Sequence, residues 1–245
     1  MGKIIAVVSG KGGTGKTSFT ANVGLALAHM GKRVLCMDCD ITLRNLDLVL
    51  GLSDSAMMDF CDVAFGRCSL QEAVVAHRKY EKLHLLTAPQ ASEALEVTQG
   101  QMRHLVEQIQ QEYDICLIDA PAGLGLGFRL ATFCADSVVV VTTTDNSALR
   151  DAQRTVMELN RFPKGHVHLA VGRVQKKMLR SLHSTIDDAI DTAGLPLIGV
   201  IPEDPEVPTA LNRGIALRDF NFYAARAYEN IARRLIGEKV SLMRI

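Results

Sequence analysis

The stretch Ser9-Gly10-Lys11-Gly12-Gly13-Thr14-Gly15-Lys16-Thr17-Ser18 restricts this chain more than any other. An apolar run, Ile4-Ile5-Ala6-Val7-Val8, precedes it, and Phe19 to Leu27 follow with apolar residues at helical spacing. Gly10-x-x-x-x-Gly15-Lys16-Thr17 between a strand and a helix is a phosphate-binding loop in its proper context. Glycines let backbone N–H groups face an anion with no Cβ in the way, and the helix N-terminus adds the positive end of its dipole. Lys16 is placed to reach β- and γ-phosphates, and the Thr17 hydroxyl to ligate Mg²⁺. Gly12, Gly13, Thr14 and Gly15, with Ser18 beyond, line the phosphates. These residues make a nucleoside-triphosphate site.

A phosphate-binding loop needs one lysine, and this one has two. Lys11, directly after the first glycine, points away from its own helix dipole and is available to a phosphate held by a facing subunit. A solvated surface lysine is the commoner fate of such a residue.

At 245 residues the chain suits one large α/β domain with a sizeable core. Lys+Arg and Asp+Glu number 27 each, so no net field attracts nucleic acid or an anionic membrane, and such binding would need a local patch. Residues 1–8 read as a strand rather than a signal peptide, and no apolar run approaches the ~18 residues of a spanning helix. The cysteines (36, 39, 61, 68, 116 and 134) lie mostly in apolar segments, which suits reduced thiols in a cytosolic protein. Cys36-x-x-Cys39 ends a predicted strand, where buried thiols are expected over a redox or metal pair.

Strands are expected over 3–8, 34–39, 83–87, 114–119, 137–143, 167–173 and 197–201. Helices are expected near 16–30, 57–77, 98–111, 124–134, 147–160, 178–193, 206–212 and 219–236. Continuous apolar runs such as Val138-Val139-Val140-Val141 mark strands buried on both faces. Alternating strands and helices then give an α/β P-loop NTPase fold: a mostly parallel twisted sheet of about seven to eight strands with helices on both faces. Ligand is expected beyond the carboxyl ends of the strands. The domain is read as 1–237, with a short tail at 238–245.

Three carboxylates stand at strand tips on that edge. The second strand ends Met37-Asp38-Cys39-Asp40, and a two-residue period sends Asp38 and Asp40 to one side. Asp38 would hold a magnesium-bound water and Asp40 orient the attacking water. Cys116-Leu117-Ile118-Asp119 is a Walker-B strand, its Asp119 meeting the Mg²⁺ shell, and Ala120-Pro121-Ala122-Gly123 after it reads as a switch loop. Near the end, Pro202-Glu203-Asp204-Pro205 leaves a strand through two prolines, a loop suited to cup a purine, and Arg173 stands ready to stack on the base; a plain surface loop and a solvated arginine are the alternatives.

Together these residues resemble the MinD/ParA family of deviant-Walker ATPases, whose signature lysine matches Lys11. The MinD branch is matched more specifically by Asp38 to Leu52 (DCDITLRNLDLVLGL), Met58-Asp59-Phe60, Ile118 to Leu124 (IDAPAGL), Leu149-Arg150-Asp151-Ala152 and Gly199 to Val207 (GVIPEDPEV). The resemblance covers residues 2–237. It implies ATP and Mg²⁺ as cofactors and a homodimer formed on ATP, in which Lys11 contacts the partner's nucleotide. It also implies slow hydrolysis raised by an ATPase stimulator, and control of septum position through an inhibitor of the MinC type. Catalysis would then rest on Lys11, Lys16 and Asp40; the metal on Thr17, Asp38 and Asp119; the nucleotide on residues 10–18 with Arg173, Pro202, Glu203 and Asp204.

The chain departs from the family pattern in places. Gly172 precedes Arg173 where an asparagine is common, which removes an adenine contact. Thr144-Asp145-Asn146-Ser147 replaces a Pro-Glu pair. After Gly237 only Glu238-Lys239-Val240-Ser241-Leu242-Met243-Arg244-Ile245 follow, where a basic amphipathic membrane helix is usual. A tail packed on the body or frayed is expected first; two copies in a dimer would add a weak membrane-surface contact. The expected location is therefore cytoplasmic, with peripheral contact at the inner face of the cell membrane.

Two relatives of the family stay open. A ParA-type DNA-segregation ATPase would need a basic surface from Arg226, Arg233 and Arg234 with Arg173, Lys176, Lys177 and Arg180, against which the neutral net charge argues, so DNA is not an expected partner. A flagellar-number regulator would carry a further N-terminal segment. An electron carrier like the nitrogenase iron protein lacks its cysteine after Asp119.

Overall fold

The computed structural model describes residues 1–53, 55–89, 96–175, 186–220 and 223–243. Eight strands form one sheet: β1 Lys3–Val8, β2 Val34–Asp38, β3 Val75–Ala76, β4 Leu83–Leu86, β5 Ile115–Asp119, β6 Ser137–Thr142, β7 Val167–Val174 and β8 Leu197–Pro202. The described helices are α1 Lys16–His29, α2 Leu46–Val49, α3 Phe60–Ala64, α4 Leu70–Ala73, α5 Gln99–Glu112, α6 Leu126–Phe133, α7 Asn146–Glu158, α8 Ile186–Ala193, α9 Glu206–Asn212 and α10 Tyr223–Leu235.

The strand order is β3-β4-β2-β5-β1-β6-β7-β8. All pairs are parallel except β3–β4 at the edge, where Val75 faces Leu85 and Ala76 faces His84. From β1 the chain moves to one side for β2 and β4 and later to the other for β6, β7 and β8. That reversal opens a crevice at the carboxyl ends of the central strands.

Alternation along β1 divides the core. Ile4, Ala6 and Val8 pack with Met102, Leu105 and Ile109 of α5, Phe128 of α6 and Leu149 of α7. Ile5 and Val7 pack on the other face with Phe19, Val23 and Leu27 of α1 and with Tyr228 and Ile231 of α10. Both faces are thus covered, which is why these strands read as unbroken apolar runs.

Several expected elements come out differently. The single helix expected over 57–77 is two short ones, α3 and α4, followed by the antiparallel strand β3. Gly66, at φ 72°, ends the first after Phe65, and Ser69 starts the second by accepting the Glu72 N–H. The helix α2 was not expected. The helix expected near 219–236 is a 3₁₀ turn, Leu217–Phe220, and then α10. Of the helix expected over 178–193, residues 186–193 are helical, whereas 178–185 lie outside the described residues, as do Lys176, Lys177 and Arg180.

Residues 238–243 carry no helix. Arg234 fastens them to the body: its Nε donates to Val240 O at 3.0 Å, Nη2 to Ser241 O at 2.6 Å and Nη1 to Ile198 O at 2.7 Å. Met243 packs against the α1–α10 face of the core.

Candidate functional site

The loop that follows β1 reaches its shape through three glycines. Gly13 and Gly15 hold φ 80° and 92°, a region where a Cβ is strained. Gly10 is required for space, since a Cβ there would lie 2.4 Å from the Asp151 carbonyl oxygen of α7. The Leu149–Ala152 stretch is therefore the surface on which the loop starts. No side chain caps the first turn of α1 at Gly15, and the Thr14 Oγ1 atom is buried without a hydrogen-bond partner. Uncapped first-turn N–H groups beside a buried hydroxyl suit an anion.

Behind the loop lies a buried charged cluster. Lys16 Nζ donates to Asp119 Oδ1 at 3.0 Å, Thr17 Oγ1 to Asp119 Oδ2 at 2.6 Å and Thr20 Oγ1 to Asp119 Oδ1 at 3.3 Å. Both ionic partners are nearly inaccessible, so each charge depends on the other. Burial pushes the Asp119 carboxyl above its ordinary value, against the pull of the Lys16 ammonium and the Thr17 hydroxyl.

Asp38 is the register partner of Asp119 across β2–β5. Burial, and then the Asp119 charge, push it up to about 7, while the Asp40 and Leu46 N–H groups donate to it at 2.8 and 3.2 Å. Asp40 lies beyond the end of β2, so the two-residue period does not govern it. Its Oδ1 instead accepts the Thr42 and Leu43 N–H groups, both at 3.1 Å. Two buried, opposed carboxylates and a hydroxyl are a donor set that a hard divalent cation fits. Among the described residues no three or more His, Cys, Asp or Glu gather around one point. A cation here would complete its shell with water and ligand oxygens, as Mg²⁺ does.

Lys11 leaves this cluster entirely. It is exposed, and its Nζ donates to Ser147 Oγ at 2.9 Å. The loop after β5 returns beside it, with the Gly123 N–H donating to Ser9 O at 3.0 Å.

From the loop a cleft of about 1440 Å³ runs toward the ends of β7 and β8. Thr14, Gly15, Thr17 and Ser18 of the loop line it, as do Gly172, Arg173, Pro202, Glu203 and Asp204. Arg173 holds φ 54° because β7 bulges there: Val171 faces Val200 but Val174 faces Pro202, leaving one residue more on β7. Its guanidinium spans the cleft mouth, with Nη1 3.4 Å from Gly13 O and Nη2 3.4 Å from Glu203 Oε1. Every sequence-predicted site residue thus lies on one edge of the sheet. Sequence reasoning missed part of the remaining wall, including Leu48 and Val49 of α2, Leu211 of α9 and Tyr228 of α10. One signal was available for Tyr228, a hydroxyl on the otherwise apolar face of the last helix.

The family model described as an AAA domain matches residues 2–168. The chain is 40% identical over 250 residues to the septum site-determining protein MinD of Bacillus subtilis (strain 168), covering 99% of this chain and 92% of that one. Its structure is similar to the MinC:MinD cell division protein complex of Aquifex aeolicus, with TM-score 0.91, 36% identity and coverage of 99% and 98%. It is also similar to MinD complexed with Mg-ADP from Pyrococcus horikoshii OT3, with TM-score 0.84, 31% identity and 97% of both chains covered.

Proposed function

The chain belongs to the MinD family of septum site-determining proteins, and from that membership we propose an ATP–Mg²⁺ switch that pairs with a second copy of itself and acts in division-site selection. The observation that carries this reading is the buried Lys16–Asp119–Thr17 cluster at the root of the cleft, with the second lysine, Lys11, exposed outside it.

The base and ribose would occupy the cleft against Arg173, Pro202, Glu203 and Asp204, and the phosphates the loop from Gly10 to Ser18. Lys16 brings its ammonium to the outer phosphates while Asp119 holds it in place. Thr17, Asp38 and Asp119 would hold Mg²⁺, which when bound draws negative charge from the phosphates and orients them. Asp40, fixed through Oδ1 by two backbone amides, orients the attacking water and accepts its proton. Such a site works by positioning and charge stabilisation. Lys11 from the facing copy adds to the charge stabilisation, so turnover needs the dimer.

The Aquifex relative was solved with MinC, and a septum inhibitor of that type is the proposed partner here, with a separate stimulator of hydrolysis. Among the described residues no helix is long and apolar enough to cross a membrane. Residues 238–245 are proposed to add a weak, dimer-dependent contact with the inner face of the cell membrane. A DNA-segregation role is disfavoured because two of the three α10 arginines are engaged within the chain, Arg233 with Glu238 at 2.6 Å and Arg234 with backbone carbonyls.

Two variants test the reading. Lys16→Ala should lose nucleotide binding in titration calorimetry. Asp40→Ala should bind ATP, hydrolyse it poorly and double in mass with ATP but not with ADP in sizing experiments. Normal turnover by Asp40→Ala would remove its assigned role, and retained binding by Lys16→Ala would remove the site.

A further inference from the structure

Ser18 is the third residue of α1 and lines the cleft beside Thr17. Its Oγ lies 3.0 Å from the hydroxyl of Tyr228, a residue of α10 that is 210 positions away in the chain. Ser18 is fixed from the other side as well, its carbonyl accepting Asn22 Nδ2 at 2.8 Å. The Tyr228 ring meets Phe19 edge-on, with centroids 6.4 Å apart. Burial pushes its phenol up to about 12, so the hydroxyl keeps its proton. A buried tyrosine hydroxyl seeks a partner, and Ser18 is the one the structure gives it.

A hydroxyl has one proton and two lone pairs. When Ser18 gives its proton to Tyr228, it turns lone pairs toward the cleft, which repels an anion. When Tyr228 gives its proton to Ser18, the serine proton is free to meet a phosphate oxygen. An anionic ligand selects the second arrangement, and the resulting chain of donors is polarised toward the charge.

We propose that Tyr228 is a positioning residue for the inner phosphates of the nucleotide, acting through the Ser18 hydroxyl. This rests on the nucleotide site described above and adds to it a member from the C-terminal helix. It links α10 to ligand binding by one hydrogen bond, in addition to the apolar packing of α10 on α1.

Titration calorimetry with ADP and with ATP on Tyr228→Phe tests it, since that change keeps the ring against Phe19 and removes only the oxygen. Affinity should fall by roughly fivefold, the worth of one neutral hydrogen bond, and equally for ADP and ATP because both carry the inner phosphates. The KM for ATP should rise by the same factor. In a Ser18→Ala background the Tyr228→Phe change should cost nothing more. Unchanged affinity in Tyr228→Phe, or additive losses in the double variant, would overturn the proposal, the latter by showing a packing role alone. Ser18→Ala by itself is the second arm should Tyr228→Phe not fold: it leaves the tyrosine in place, and full affinity there is equally fatal. Lys16→Ala run in parallel separates the two readings. Lost binding in Lys16→Ala beside full binding in Tyr228→Phe removes only the tyrosine, whereas retained binding in Lys16→Ala removes the site itself.

Discussion

His84 lies within β4 with its Nδ1 atom buried and without a hydrogen-bond partner, its ring edge-on to Tyr113 at 5.4 Å. Burial, and then the Arg33 charge, lower its pKa below the ordinary value. The unfolded chain therefore takes up this proton first as pH falls. The contribution to stability is complete above the ordinary pKa and is lost as pH drops through the folded-state value. Asp38 acts in the opposite sense, since its raised pKa adds stability at low pH that disappears as pH rises through about 7. The parent curve sums both, and a variant isolates one. In His84→Gln the difference in unfolding free energy between about pH 7.5 and about pH 5.5 should shift toward lower loss on acidification, checked by urea denaturation at both values. An unchanged difference would show that this ring does not titrate with folding. Asp38 and Asp119 were legible in the sequence because an apolar strand ending in an acid is a local pattern. For Tyr228 the sequence offers a hydroxyl on an apolar helix face but nothing that ties it to Ser18, 210 positions away.

Helices here were readable where one cap and one apolar stripe coincide, and misread where two caps fall inside one apolar stretch. Residues 57–77 contain Phe60, Val63, Leu70 and Val74 at spacings that pass for a single helix. The backbone signals within it, Gly66 and the Ser69-x-x-Glu72 box, override that periodicity: the glycine lets one helix end, and the box satisfies N–H groups that the start of the next leaves without intrahelical partners. The same device in α5 is unaccompanied by any break: Thr98 Oγ1 accepts the Gln101 N–H at 3.3 Å, and Gln101 Oε1 accepts the Thr98 N–H at 2.9 Å. Thr98→Ala should cost about 1 kcal/mol and lower Tm by roughly 2–4 °C, measured by thermal unfolding. Since α5 packs on the sheet through Met102, Leu105 and Ile109 and lies outside the cleft lining, ADP affinity should stay at the parent value. A loss of affinity would mean that the face of α5 reaches the site through β1 and β5.

At the scale of the molecule the sheet order places β1 at the centre, so the loop that follows it is the one loop able to face both β5 and β6. Lys16 turns inward from that loop to Asp119 and Lys11 turns outward to Ser147. Two lysines five positions apart thus serve two different environments, one dry and one wet. An exposed lysine–hydroxyl contact contributes on the order of 1 kcal/mol or less, so Lys11 leaves Ser147 at little cost when a more strongly charged partner arrives. A triphosphate presented by a second copy is such a partner, and a diphosphate, lacking the outermost group, offers less charge at the place where the copies would meet. Lys11→Ala should therefore bind ATP as Lys16→Ala cannot, remain single in sizing experiments with ATP, and lose turnover by about 100-fold, the usual cost of one charge-stabilising donor. If Lys11→Ala doubles in mass with ATP and turns over like the parent, the outward lysine is a solvated surface residue and the switch does not run through it. If it doubles but does not turn over, Lys11 serves the reaction and the copies are held together by other contacts.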